Sequence, residues 1–318
     1  MDPIALHPLD QIELHTLMDN YTDLTVMNND KVVTRGGYPA DGGTKRPLLA
    51  EHGFSLLIRT QRCDERGTLI FDGGFSPAGA AQNARSLGLD LKEVDCFVLS
   101  HGHADHWGGL RALAKATGHN RLPLVVHPEA FRTGRHSISK GIIYRMPQLT
   151  RPYLEKAGFE LWENRKPCRI LQGDALFLGE IPRSTDFEQN ERHAYYRENG
   201  WNKEDDFLDD SSLTLLLRGK GLVIVTGCAH AGIINTIQQA RRITGESRVF
   251  AVIGGFHLTG KTKKQLEPLL EALRQCAPRY VIPCHCTGRK ASLWIEETMP
   301  DAFLLNMSGT KFTFCGSD

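Results

Sequence analysis

Five short, β-rich apolar runs in this 318-residue chain each lead into a side chain able to hold a metal ion, four of them with glycine beside it. They are Leu69-Ile70-Phe71-Asp72-Gly73-Gly74, Phe97-Val98-Leu99-Ser100-His101-Gly102-His103-Ala104-Asp105-His106, Val223-Ile224-Val225-Thr226-Gly227-Cys228-Ala229-His230, Val252-Ile253-Gly254-Gly255-Phe256-His257 and Val281-Ile282-Pro283-Cys284-His285-Cys286. Runs of this length read as strands. Between them lie amphipathic stretches, one carrying Leu266, Leu269, Leu270 and Leu273 at helical spacing, which makes the pattern α/β alternation. Strands are also expected at 12–17, 54–60, 124–126 and 213–218, and helices at 77–87, 109–117, 232–244 and 263–275. Strand ends converge on one rim of a sheet, so five rims carrying Asp, His or Cys predict a polar cluster on a rigid scaffold. Six of the thirteen histidines fall in these segments, which puts the chemistry there.

Composition narrows the functional classes. A formal net charge of +1 provides no broad basic field to neutralise phosphates, so neither nucleic-acid binding nor nuclease action is expected. With 24% charged and 41% hydrophobic residues the chain can fill a large core, which excludes disorder. No apolar run approaches the roughly 18 residues of a membrane span. The first residues, Met1-Asp2-Pro3-Ile4-Ala5-Leu6-His7-Pro8, show no secretory pattern, and eight cysteines are too sparse for a disulfide framework. The expected compartment is the cytoplasm, and the expected partner a small molecule. The stretch from about 131 to 210 mixes Arg, Tyr, Trp and acidic residues and is read as an insertion over the active-site face, either a substrate lid or a plain surface loop.

The densest chemistry is His101-x-His103-x-Asp105-His106. Three imidazoles and a carboxylate in one buried turn would be costly without partners, whereas neutral imidazole and carboxylate together suit zinc, and also Mn²⁺ or Fe²⁺. The spacing suits two ions, with His101 and His103 on one and Asp105 and His106 on its neighbour.

This string resembles the signature of the metallo-β-lactamase superfamily. Leu49-Ala50-Glu51-His52-Gly53-Phe54-Ser55, Gly227-Cys228-Ala229-His230-Ala231-Gly232, Gly254-Gly255-Phe256-His257-Leu258 and Cys284-His285-Cys286-Thr287-Gly288 extend the likeness. Together they resemble the branch that includes the dihydropterin–aminobenzene ribofuranosyl phosphate synthases. The resemblance implies a single domain over 1–318 with a four-layer αβ/βα sandwich and a one- or two-metal site at the sheet edges. It implies that His101 and His103 hold a first metal, that Asp105 and His106 hold a second, and that His285 completes the second. Asp72 then orients the ligand loop. The chain departs from the family where a bridging Asp often follows Thr-Gly, since Cys228 stands there, and no third histidine stands near Leu178-Gly179-Glu180-Ile181-Pro182. His230 is assigned as the missing ligand and Cys228 as a further thiolate candidate. His257, Glu180, Arg183 and His52 are expected against substrate or behind the ligands.

Strand alternation would turn Cys284 and Cys286 away from the face of His285, which makes both structural thiols. Arg183, Arg192 and Arg197 could grip a phosphate or carboxylate, or simply be solvated. The expected function is a metal-dependent hydrolase in which two divalent ions lower the pKa of a bound water from about 15.7 toward ~7 and supply hydroxide. Its substrate is expected to be small and anionic, phosphorylated or pterin-like. A transferase of the synthase type in the same site and a non-catalytic ligand sensor are the alternatives.

Overall fold

In the computed structural model, residues 3–37, 47–189 and 193–317 are described. Two sheets stack face to face. The first has eight strands, running in space from Phe159–Glu163 through Leu122–Val126, Cys96–Val98, Glu65–Phe71, Ser55–Arg62, Gln11–Met18 and Lys311–Cys315 to Val33–Thr34. The second has seven: Cys168–Ile170, Ala175–Phe177, Ser212–Leu217, Gly221–Thr226, Val249–Gly255 and Tyr280–Cys284 in order, with Pro8–Leu9 pairing Ser212–Leu217.

The continuous apolar runs are explained by burial on both faces. In Gly221–Thr226, Val223 and Val225 enter the core between the sheets, while Leu222 and Ile224 face the helices behind. Ala251 and Ile253 alternate with Val252 in the same way. In the first sheet Leu69 and Phe71 point inward and Ile70 outward. The outer faces are covered by Gly79–Ser86, Leu110–Thr117 and Arg151–Lys156 on one side and by Ile233–Thr244, Lys263–Cys276 and Arg289–Thr298 on the other. Three apolar clusters therefore separate four layers, helix, sheet, sheet, helix.

The Lys263–Cys276 helix buries the four leucines expected of it. It starts at Thr262, whose hydroxyl and the Gln265 side chain form a reciprocal cap.

The stretch 131–210 departs from the sandwich less than its sequence suggests. Phe159–Glu163 extends the first sheet, and Cys168–Ile170 and Ala175–Phe177 belong to the second. What remains apart is a small four-stranded antiparallel sheet of Trp201–Glu204, Ala194–Glu198, Thr133–Ser139 and Ile142–Arg145. Its period is hidden because the positions buried from Thr133–Ser139 are the polar neighbours Arg135, a charge balanced by Asp205 and Asp209, and His136. Among the described residues, no helix is long and apolar enough to cross a membrane.

Candidate metal centre

Parallel register brings the strand ends together. Thr226 pairs with Gly254 and Gly254 with Pro283, so Cys228, His257 and His285 emerge side by side; across the sandwich, Phe71 pairs with Val98 to bring Asp72 beside the His101 turn. The turns are tight. Asp72, Ala229, His257 and His285 all take left-handed backbone, with φ between 47° and 57°, a conformation that costs energy outside glycine and concentrates at functional sites. Gly227 has no room for a side chain, since a Cβ there would lie 2.1 Å from Ser100 Oγ.

His101, His103 and His230 form the first group, with one ligand nitrogen of each within 4.8 Å of the others. Nε2 of His101 and of His103 is buried without a hydrogen-bond partner, as expected of a lone pair kept for a cation. Burial, reinforced by the neighbouring imidazoles, pushes both residues well below the usual histidine range and keeps them in the neutral, ligating form. His230 stacks on Phe207 with centroids 4.3 Å apart. That stack sets the ring beside His101 and His103.

Asp105, His285 and His52 form the second group. Asp105 Oδ2 lies 3.2 Å from His285 Nε2, 3.4 Å from His52 Nε2 and 3.8 Å from His106 Nε2. Burial alone would raise the Asp105 carboxyl, but His106 and His285 outweigh it and hold the group well below the usual carboxylate range. His106 stands between the two groups. Its Nε2 is 3.2 Å from Cys228 Sγ, and these two residues also form a potential ligand group with His101. Burial opposes a charge on His106, yet Asp72 and Asp105 raise it to about 9. A field that favours a proton there also favours a metal cation.

Asp72 does not face the ligand groups directly. It accepts from Ser100 N (2.7 Å) and Ser100 Oγ (2.7 Å), and its Oδ2 lies 2.6 Å from His106 Nδ1, which leaves Nε2 for the centre. Asp72→Ala is expected to lower metal affinity ~10–100-fold, read by chelator competition; an unchanged affinity would show that His106 needs no such partner.

Several supports have no signal in the sequence. Asn20 Oδ1 lies 3.0 Å from His285 Nδ1, and Asp19 Oδ1 accepts from His285 N at 2.8 Å. Asp209 Oδ2 accepts from Gly102 N at 2.8 Å, fixing the turn between His101 and His103, and Asp210 Oδ2 accepts from Ala231 N at 2.9 Å. Aspartates near strand ends are too common to single out without the three-dimensional partner.

One expectation needs correction. The Tyr280–Cys284 strand ends before His285, and His285–Thr287 is a 3₁₀ turn, so strand alternation no longer applies. Cys284 does enter the inter-sheet core, but Cys286 turns toward Cys228 and His257. Glu180 joins an ion-pair cluster, 3.1 Å from Arg165 Nη1 and 3.3 Å from His127 Nε2. Arg183 Nη2 donates to His230 O at 3.4 Å, and the Arg197 side chain packs over Gly134. Arg192 lies outside the described residues.

Comparisons with known proteins agree with this geometry. The chain is 28% identical over 298 residues to the 7,8-dihydropterin-6-methyl-4-(beta-D-ribofuranosyl)-aminobenzene-5'-phosphate synthase of Methanocaldococcus jannaschii, covering 92% of this chain and 94% of the relative. An uncharacterised protein of the same organism is 30% identical over 254 residues, 79% of this chain and 90% of its own length. Among solved structures, Tm1679, described as a metal-dependent hydrolase of the beta-lactamase superfamily, superposes with a TM-score of 0.71 at 24% identity, covering 96% of this chain and all of that one. The metallo-beta-lactamase fold protein YhfI of Bacillus subtilis gives 0.52 at 12% identity, covering 96% of this chain and all of its own. The profile of the metallo-beta-lactamase superfamily matches residues 49–241, and with the four-layer sandwich and the strand-end histidines in place, the chain belongs to that superfamily.

Proposed function

We propose that the protein is a metal-dependent hydrolase with a pair of divalent cations, zinc or in its place manganese or iron, acting on a small anionic substrate. The carrying observation is the adjacency of two ligand groups, His101–His103–His230 and Asp105–His285–His52, with His106 between them. When bound, such a pair acidifies a coordinated water and polarises the attacked centre. Asp105 is kept ionised by its imidazoles and is placed to accept a hydrogen bond from the attacking water and orient it. His52 is the most exposed member, its side chain 66% accessible, and is placed to meet substrate at the mouth. A cavity of about 190 Å³, large enough for a small ligand group, lies beside His230 and His257 with Lys261 and Glu188 both in its wall.

The likeness to a synthase over 92% of the chain supports a second reading, group transfer in which an organic acceptor takes the place of water. The two are separated by supplying metal-loaded protein with phosphodiesters, esters, lactones and pterin phosphates in ¹⁸O-labelled water. The hydrolase reading expects product carrying label from a single substrate. Turnover that requires a second organic substrate and leaves the label in solvent would favour transfer. Saturable binding without turnover of any class would overturn both in favour of a ligand sensor.

A further inference from the structure

Three further donor side chains, one of them the Cys228 that already stands beside His101 and His106, meet where the Gly221–Thr226, Val249–Gly255 and Tyr280–Cys284 strands end side by side. Cys228 Sγ, a ring nitrogen of His257 and Cys286 Sγ all lie within 4.8 Å of one another. Both thiols are almost fully buried, at 2% and 7% exposure. The backbone makes space for them. A Cβ on Gly255 would stand 2.5 Å from Cys286 Sγ and 2.4 Å from Gly227 O, so only glycine allows the Cys286 turn to close against the Cys228 strand end.

Around a tetrahedral zinc ion, with sulfur at ~2.3 Å and nitrogen at ~2.0–2.1 Å, neighbouring donors sit roughly 3.5–3.8 Å apart. Donors already within 4.8 Å need move by only about an ångström to reach that geometry. Two sulfurs and an imidazole select zinc, iron(II) or copper over magnesium or calcium, which prefer oxygen. Cys228 Sγ also stands 3.2 Å from His106 Nε2, so this corner is continuous with the histidine groups.

We propose that Cys228, His257 and Cys286 form a thiolate-rich site for a soft divalent cation, adjoining the histidine–aspartate centre and sharing the Cys228 sulfur with it. His257 is then a ligand of this neighbouring site and not of the first group. The proposal rests on the chain holding metal, not on which reaction it catalyses: zinc–sulfur bonds in a protein without hydrolase or transferase turnover would refute the reaction and leave this site standing.

The test uses the full chain purified without chelator and loaded with zinc, with cobalt-substituted protein alongside. Zinc X-ray absorption should show a sulfur shell near ~2.3 Å, and this needs no variant that could misfold. Cobalt protein should show thiolate-to-metal charge-transfer absorption. Cys286→Ser should cut that absorption to about half and release about one ion per chain, and His257→Gln should release the same ion, because each removes one donor from a site of three. Absence of a sulfur shell in loaded wild type would overturn the proposal. Charge transfer and metal content unaltered in folded Cys286→Ser would also overturn it, leaving Cys228 as a ligand of the histidine groups alone.

Discussion

Asp105→Asn is expected to reduce turnover by ~10²-fold or more while the fold persists. The amide keeps the shape of the side chain and loses the charge that three imidazoles surround, with His285 Nε2 only 3.2 Å away. It can neither compensate a second cation nor hold an attacking water by the charge-assisted hydrogen bond a carboxylate accepts. Folding should survive because the side chain is partly exposed, at 18%, on the one-turn helix Ala104–Trp107 and outside the apolar clusters. The check is kcat/KM for the substrate identified in the labelled-water screen, beside a denaturation midpoint. Near-normal turnover would remove Asp105 from the mechanism and favour a one-metal enzyme.

Arg135→Met is expected to cost about 3–5 kcal/mol of stability, the usual penalty for stranding one partner of a buried ion pair. Arg135 and Asp209 side chains are 4% and 0% exposed; the guanidinium makes two contacts with Asp209, at 2.8 and 2.5 Å, and one with Asp205 at 2.8 Å. Without it Asp209 lies buried without a counter-charge, while Asp205 keeps Arg132 at 2.7 Å, and it is Asp209 that anchors Gly102 N between His101 and His103. Burial would raise the Asp209 carboxyl, but Arg135 and the Gly102 N–H more than offset this and hold it well below its ordinary value. A carboxyl depressed in the folded state contributes stability above its unfolded pKa of about 3.9 and loses it as pH falls toward the folded value. Urea denaturation should therefore show wild type losing stability below about pH 4 through this group, with a shallower acid loss in Arg135→Met. Equal stabilities of the two proteins at neutral pH would show that the pair carries no net weight.

The contrast between these two residues marks how far the sequence can be read. Asp105 announces itself through its neighbours in the chain, and the strands behind it are legible because Val223, Val225, Leu222 and Ile224 are all apolar, as burial on both faces demands. Helices such as Lys263–Cys276 show their buried face through leucine spacing. Arg135 is silent, because a charge in an inward position reads as surface until Asp209 is seen beside it, 74 residues away in sequence. Asn20 and His285 are separated by 265 residues, so the contact that orients His285 exists only in the fold. Cys286 misleads for a different reason: alternation holds only while the strand lasts, and the strand stops two residues earlier. The terminal strand Lys311–Cys315 alternates Phe312 and Phe314 inward but spans only five residues, and the helix Arg289–Thr298 buries only Ala291 and Ile295, so neither element stands out in the sequence.

The most direct test of the account is elemental analysis of the full chain, purified without chelator from metal-replete cells, beside His101→Ala. The histidine–aspartate groups should retain up to two divalent transition-metal ions in wild type, because two adjacent ligand groups are present. His101→Ala should lose metal with its circular dichroism unaltered, since His101 sits on a strand-end turn and not in the apolar core. Folded wild type devoid of transition metal, or a His101→Ala protein that keeps the full complement, would contradict the account.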